Sequence, residues 1–156
     1  MSSELEELYQ EVILDHARKP RNFGDLPDAS VHVHGDNPSC GDEINLAVKF
    51  GTNGQLENLM FTGHGCAISQ ASASLMTMKL KGKSREETTS MVNAFHDLIT
   101  DGKPVMSGSF GDLQLLAGVR KFPQRVKCAM LAWRAMEQAL QQTSGETQVS
   151  TEAAES

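Results

Sequence analysis

The sequence is short of what a nucleic-acid groove needs. Basic residues are outnumbered, 14 Lys and Arg against 20 Asp and Glu for a formal net charge of -6. Aromatic residues make up 5%, with one Trp and one Tyr, too few to interleave stacking platforms with cations. No nucleic-acid partner is expected. Long apolar runs are missing too: Met1 to Tyr9 is largely acidic and polar, which reads as neither a secretory signal nor a membrane span. The expected compartment is the cytoplasm, with no membrane partner. Cysteine is scarce and odd in number, three in all, so a disulfide framework accounts for it poorly in a reducing compartment. Metal binding or thiol reactivity gains weight, although three inert packed thiols fit the count equally well.

What is present suits one domain. A chain of 156 residues that is 39% hydrophobic can close a single core, and no internal repeat divides it. Ser3 and Glu6 stand at capping-box spacing before Leu5, Leu8, Val12 and Ile13, which share a helical face, and Pro20 stops that helix near Arg18. Val31 to His34 alternates, Gly35 to Pro38 reads as a turn, and alternation resumes at Ile44, Leu46, Val48 and Phe50. Gly51 to Gly54 is a hairpin signal leading to a third strand over Leu56 to Thr62.

From Ala67 the period becomes helical through Ile68, Ala71, Leu75 and Met78, with Ala and Ser elsewhere that permit close backbone approach. Ser84 and Glu87 repeat the capping-box spacing before Met91, Val92, Phe95 and Leu98; residues 101 to 110 read as a loop. Leu113, Leu115 and Leu116 suggest a short helix. Pro123 opens a last helix with Val126, Met130, Trp133, Met136 and Leu140 on its stripe. The expected fold is α+β, a small antiparallel three-stranded sheet packed against helices over residues 1–140. Residues 141–156 read as a disordered polar tail without chemistry.

The cysteines fall at element ends. Cys40 sits at a turn, and Asp42, two residues on in extended chain, points to the same side. Cys66 closes Gly63-His64-Gly65-Cys66 at a strand-to-helix junction, where glycines allow close approach and a helix start favours thiolate. His64 is an alternative ligand. Cys128 follows Arg120, Lys121, Arg125 and Lys127, cations that lower a thiol pKa, and lies roughly 160° from Val126 around the helix, off the apolar stripe. No CxxC pair marks a zinc site. Three thiolates and a carboxylate would nonetheless close a tetrahedral shell around zinc, with net charge about -2.

Asn37-Pro38-Ser39-Cys40-Gly41-Asp42, Gly63-His64-Gly65-Cys66-Ala67-Ile68-Ser69 and Lys121 to Cys128, in that order, resemble the SufU branch of the IscU-like (NifU N-terminal) family, as do residues 14 to 24 and 71 to 74. Lys127 stands where scaffold-type members carry a histidine, and Gly111 to Leu116 is a segment they lack. Phe122-Pro123-Gln124-Arg125-Val126 replaces their chaperone-binding Leu-Pro-Pro-Val-Lys. The resemblance implies a zinc site of Cys40, Asp42, Cys66 and Cys128, with His64 not a ligand. It implies sulfur transfer from a SufS-type, PLP-dependent cysteine desulfurase, one of whose histidines replaces a cysteine on the metal.

On that reading Cys40 is the persulfide acceptor, with Cys128 the alternative, Asp42 keeps the metal, Arg125 steers charge, and a downstream cluster scaffold accepts the sulfur. Two other functions use the same side chains. One is a scaffold on which a [2Fe-2S] cluster is assembled and passed on. The other is a zinc-stabilised interaction domain without transfer chemistry.

Overall fold

Asp42, Ile44, Leu46 and Val48 are buried along one side of a strand while Glu43 and Asn45, which alternate with the first three, are not, the period-2 pattern of a sheet covered on one face. The computed structural model describes residues 11–101, 111–142 and 145–150. The elements run α1 (Glu11–Arg18), β1 (Val31–Asn37), β2 (Asp42–Phe50), β3 (Leu56–His64), α2 (Ala67–Leu80) and α3 (Arg85–Asp101). A 3-10 segment (Gly111–Lys121), α4 (Pro123–Leu140) and β4 (Gly145–Ser150) follow. The expected helix start at Ser3 to Leu8 and the loop beyond Asp101 lie outside the described residues.

The antiparallel meander is present as expected. Val31 faces Val48 and Asn37 faces Asp42 between β1 and β2, while Glu43 faces His64 and Leu46 faces Phe61 between β2 and β3. The first turn falls later than its sequence suggests. Gly35 is not a turn residue: a Cβ there would lie 3.1 Å from Ile44, 3.2 Å from Val149 and 3.3 Å from Leu131, so close packing requires it inside β1. The turn occupies Pro38 to Gly41, with Gly41 at φ +71°.

Two further signals hold at atomic detail. Ser84 N–H donates to Glu87 Oε1 at 3.0 Å and Glu87 N–H to Ser84 Oγ at 3.1 Å, the reciprocal capping box that opens α3. Pro123 stands in the first turn of α4.

Helix α4 is the centre of the molecule. Cys128, Ala129, Met130, Leu131, Ala132, Trp133, Ala135, Met136 and Ala139 are all buried, because α2, α3 and the sheet surround it. Small side chains of α2 allow the approach: Ser72 Oγ–H donates to Ala129 O at 2.6 Å, and the Trp133 indole N–H donates to Ser72 Oγ at 3.0 Å. Trp133 also stacks on Phe95 with centroids 4.3 Å apart. No described helix is long and apolar enough to cross a membrane.

The expected tail is corrected in part. Gly145–Ser150 forms β4, pairing parallel with β1 from Val31↔Gly145 to Asp36↔Ser150, so the sheet order is β3-β2-β1-β4. The domain therefore does not end at Leu140. One apolar residue, Val149, packs on the core, and the backbone ladder along the otherwise open edge of β1 does the rest. Arg85 steers the chain out of α4, its guanidinium donating to Leu140 O at 2.8 Å and Gln142 O at 3.2 Å.

Candidate metal centre

The β1–β2 turn presents the first two donors. Cys40 and Gly41 N–H groups donate back to Asn37 O at 3.2 and 2.9 Å, holding Cys40 half-buried at the tip. Asp42 then begins β2 and turns inward, with only 1% of its surface exposed. A carboxylate that deep needs donors. Cys66 N–H supplies one to Oδ1 at 2.8 Å, and the Asn37 amide approaches Oδ2 at 3.4 Å.

Cys66 is the residue before α2, and its carbonyl accepts from Ser69 Oγ at 3.0 Å. The glycine before it is required: a Cβ on Gly65, at φ +152°, would overlap Asp42 Oδ1 and lie 2.9 Å from both Asp42 Cγ and Ser69 Oγ. Close approach, read from the glycines in the sequence, is what brings the β3–α2 junction onto Asp42. Cys66 Sγ is 3.9 Å from Asp42 Oδ2.

Cys128 comes from the first turns of α4. It is fully buried rather than off the packed side of its helix, since α4 is enclosed and its alanines leave no single stripe. Its Sγ is 3.3 Å from Cys40 Sγ and 3.7 Å from the Asn37 amide. The hydrogen bond from Cys128 pulls the Cys66 thiol down to about 6, against burial and with help from the backbone N–H groups of Ser69 and Ile68. Cys128 is pushed upward by that same hydrogen bond and by burial. The expectation that nearby cations lower Cys128 is thus reversed: the thiol faces the interior.

Ligand atoms of Cys40, Asp42 and Cys128 lie within 4.8 Å of one another, and Cys66 stands against Asp42 and Cys128. Zinc bonds of about 2.0–2.3 Å at tetrahedral angles set ligands roughly 3.4–3.8 Å apart. The 3.3 and 3.9 Å separations therefore fit such an ion with small adjustment. Three sulfurs and one oxygen from a buried carboxylate also suit its chemistry. Asn37, fully buried between Asp42 and Cys128, is the site residue that sequence reasoning passes over, because Asn-Pro reads simply as a turn. His64 is on the other face of the sheet, 72% exposed, with Nε2 3.3 Å from Glu43 Oε2. Arg125 lies half-buried in the first turn of α4.

The family model described as "NifU-like N terminal domain" matches residues 8–149, β4 included. The zinc-dependent sulfurtransferase SufU of Bacillus subtilis is 43% identical over 145 residues, 92% of this chain and 97% of that one. The iron-sulfur cluster assembly scaffold protein IscU of Streptococcus pyogenes serotype M1 is 41% identical over 142 residues, 91% and 88% of the two chains. A crystal structure from Fervidobacterium islandicum AW-1, described as an iron-sulfur cluster assembly scaffold protein for the SUF system, superposes with TM-score 0.80. It is 33% identical, over 89% of this chain and 99% of that one. With its fold and nearly its full length matched, the chain belongs to the NifU-like N-terminal domain family, among the IscU and SufU proteins of iron-sulfur cluster assembly.

Proposed function

We propose that the chain is a zinc-dependent sulfurtransferase that accepts persulfide sulfur from a SufS-type cysteine desulfurase. The observation that supports this reading is the donor set: the ligand atoms of Cys40, Asp42 and Cys128 lie within 4.8 Å of one another, with Cys40 at a half-buried turn in contact with fully buried Cys128, and Cys66 Sγ stands 3.9 Å from Asp42. Cys40, Asp42, Cys66 and Cys128 would hold the ion. Zinc, when bound, supplies positive charge that keeps the thiols deprotonated near neutral pH.

Cys40 thiolate attacks the terminal sulfur of the desulfurase persulfide. The donor S–S bond breaks as the new one forms, so Cys40 leaves as a persulfide and the partner cysteine as a thiolate, with no external oxidant. PLP belongs to the partner. Asp42, fixed by Cys66 N–H and Asn37, keeps its position while Cys40 reacts. Cys128 is the alternative acceptor, and Arg125 a candidate for steering the charged sulfur. A downstream cluster scaffold would take the sulfur onward. Lys127, beside Cys128 where scaffold-type members carry histidine, favours this reading over cluster assembly on the chain itself.

The test is desulfurase turnover with wild-type and Cys40→Ala protein, combined with intact-mass analysis. Wild type should stimulate turnover and carry one added sulfur on Cys40, and the variant should do neither. A wild type that leaves turnover unchanged but yields a transferable [2Fe-2S] cluster would establish the scaffold reading instead, for which relatives named IscU give the precedent.

A further inference from the structure

Charge is unevenly placed along the chain. From Leu113 to Met136 the sequence holds five Lys and Arg and no Asp or Glu, within a protein whose formal net charge is -6. Three of those cations, Arg120, Lys127 and Arg134, line an open groove of about 330 Å³ where α3 and the 3-10 segment meet α4. Buried Ile99 and Met130 and half-buried Val126 give the groove an apolar base.

The cations are placed to receive acid. Arg120 is exposed and has no hydrogen-bond or ion-pair partner among the described residues. Arg134 Nη1 stands 3.6 Å from Glu137 Oε1, too far for a hydrogen bond. Lys127 and Arg134 are seven residues apart on α4, so they lie on nearly the same side of the helix and roughly 10 Å apart along its axis. Carboxylates two turns apart on a partner helix match that interval, and apolar side chains between them would meet Val126 and Met130.

The lining narrows the choice of occupant. No aromatic side chain lines the groove, so the stacking that a nucleic acid would use is missing. An inorganic anion would leave the apolar base wet. The volume falls at the low end of the roughly 300–1,000 Å³ of ligand pockets, which suits an inserted apolar anchor better than an enclosed cofactor. We propose that this groove docks an acidic amphipathic segment of a partner protein, with carboxylates flanking an apolar anchor. Around α4, Lys127, Met130 and Arg134 lie roughly 100–160° from Cys128, all to the same side. A partner seated there leaves the thiol centre uncovered, so docking is independent of which thiol reacts.

The experiment titrates full-length, zinc-loaded, ¹⁵N-labelled protein with a helix-forming peptide containing Glu-Ala-Ala-Leu-Leu-Ala-Ala-Glu, beside a scrambled peptide of the same composition. The ordered peptide should shift the amides of Ile99, Val126 and Met130 and bind more tightly than the scrambled one. Arg120→Glu, Arg134→Glu and Val126→Ser should each weaken binding by roughly fivefold or more, with bound zinc and the urea midpoint as in wild type. The proposal is overturned if those amides do not move at millimolar peptide, or if the three variants bind like wild type. Equal binding of the scrambled peptide, or displacement of the ordered one by millimolar inorganic phosphate, overturns it too, since either would reduce the groove to a patch of charge.

Discussion

Gly65→Ala isolates the contact between the β3–α2 junction and Asp42. The added Cβ would overlap Asp42 Oδ1 and stand 2.9 Å from Asp42 Cγ, where ordinary contact begins at 3.4 Å. The carboxylate must therefore withdraw by about 0.5 Å or more, away from the Cys66 N–H that now lies at 2.8 Å. Losing a hydrogen bond to a buried charge costs about 1.5–3 kcal/mol, and a left-handed alanine adds about 1–3 kcal/mol. The expected loss is roughly 3–5 kcal/mol in urea unfolding with chelator present. Zinc affinity should fall about 10- to 100-fold, since a displaced group that orients a ligand has that scale of effect. Gly82→Ala is the control: φ is +87° but nothing lies within 4 Å of a Cβ there, so it carries the backbone strain alone and should bind zinc like wild type. Equal unfolding midpoints and equal zinc affinities for the two variants would refute the argument that Gly65 exists to seat Asp42.

Ending the chain after Gln142 keeps the Arg85 contacts but removes β4; it should lower stability by about 2 kcal/mol through loss of Val149 burial and the β1 edge ladder, measured as a shift in urea midpoint. An unchanged midpoint would mean that β4 stabilises nothing. Ser84→Ala should cost about 1 kcal/mol by breaking the α3 capping box. Backbone and hydroxyl hydrogen bonds from Ser84 hold the Glu87 carboxyl below its ordinary 4.5. The contribution of Glu87 is therefore fully present above that pH and lost as the pH falls through the lowered value. The difference between wild type and Ser84→Ala should shrink in acid, and a gap that persists at low pH would assign the effect to the hydroxyl alone.

The meander and the capping box were legible because each rests on local chemistry: Ile44, Leu46 and Val48 alternate, and Ser84 and Glu87 satisfy each other three residues apart. The cysteines could be assigned to element ends for the same reason. β4 was not legible, since Gly145-Glu-Thr-Gln-Val-Ser150 carries one apolar residue and its pairing depends on an edge supplied by a distant strand. The burial of Cys128 escaped because Ala129, Ala132, Ala135 and Ala139 count weakly in any stripe, although alanines are what let a helix be enclosed on every side. Asn37 was missed because its partners, Asp42 and Cys128, meet only in three dimensions.

Cys40 and Cys128 touch although 88 residues separate them in the chain. On a ribosome the turn bearing Cys40 and Asp42 and the junction bearing Cys66 emerge long before α4, so a growing chain offers an incomplete donor set until its last helix is made. Enclosure of Cys128 by the sheet, α2 and α3 then ties closing of the set to closing of the core. An ion captured there reports a finished domain, and loss of the ion should loosen amide protection across the whole molecule rather than in one loop.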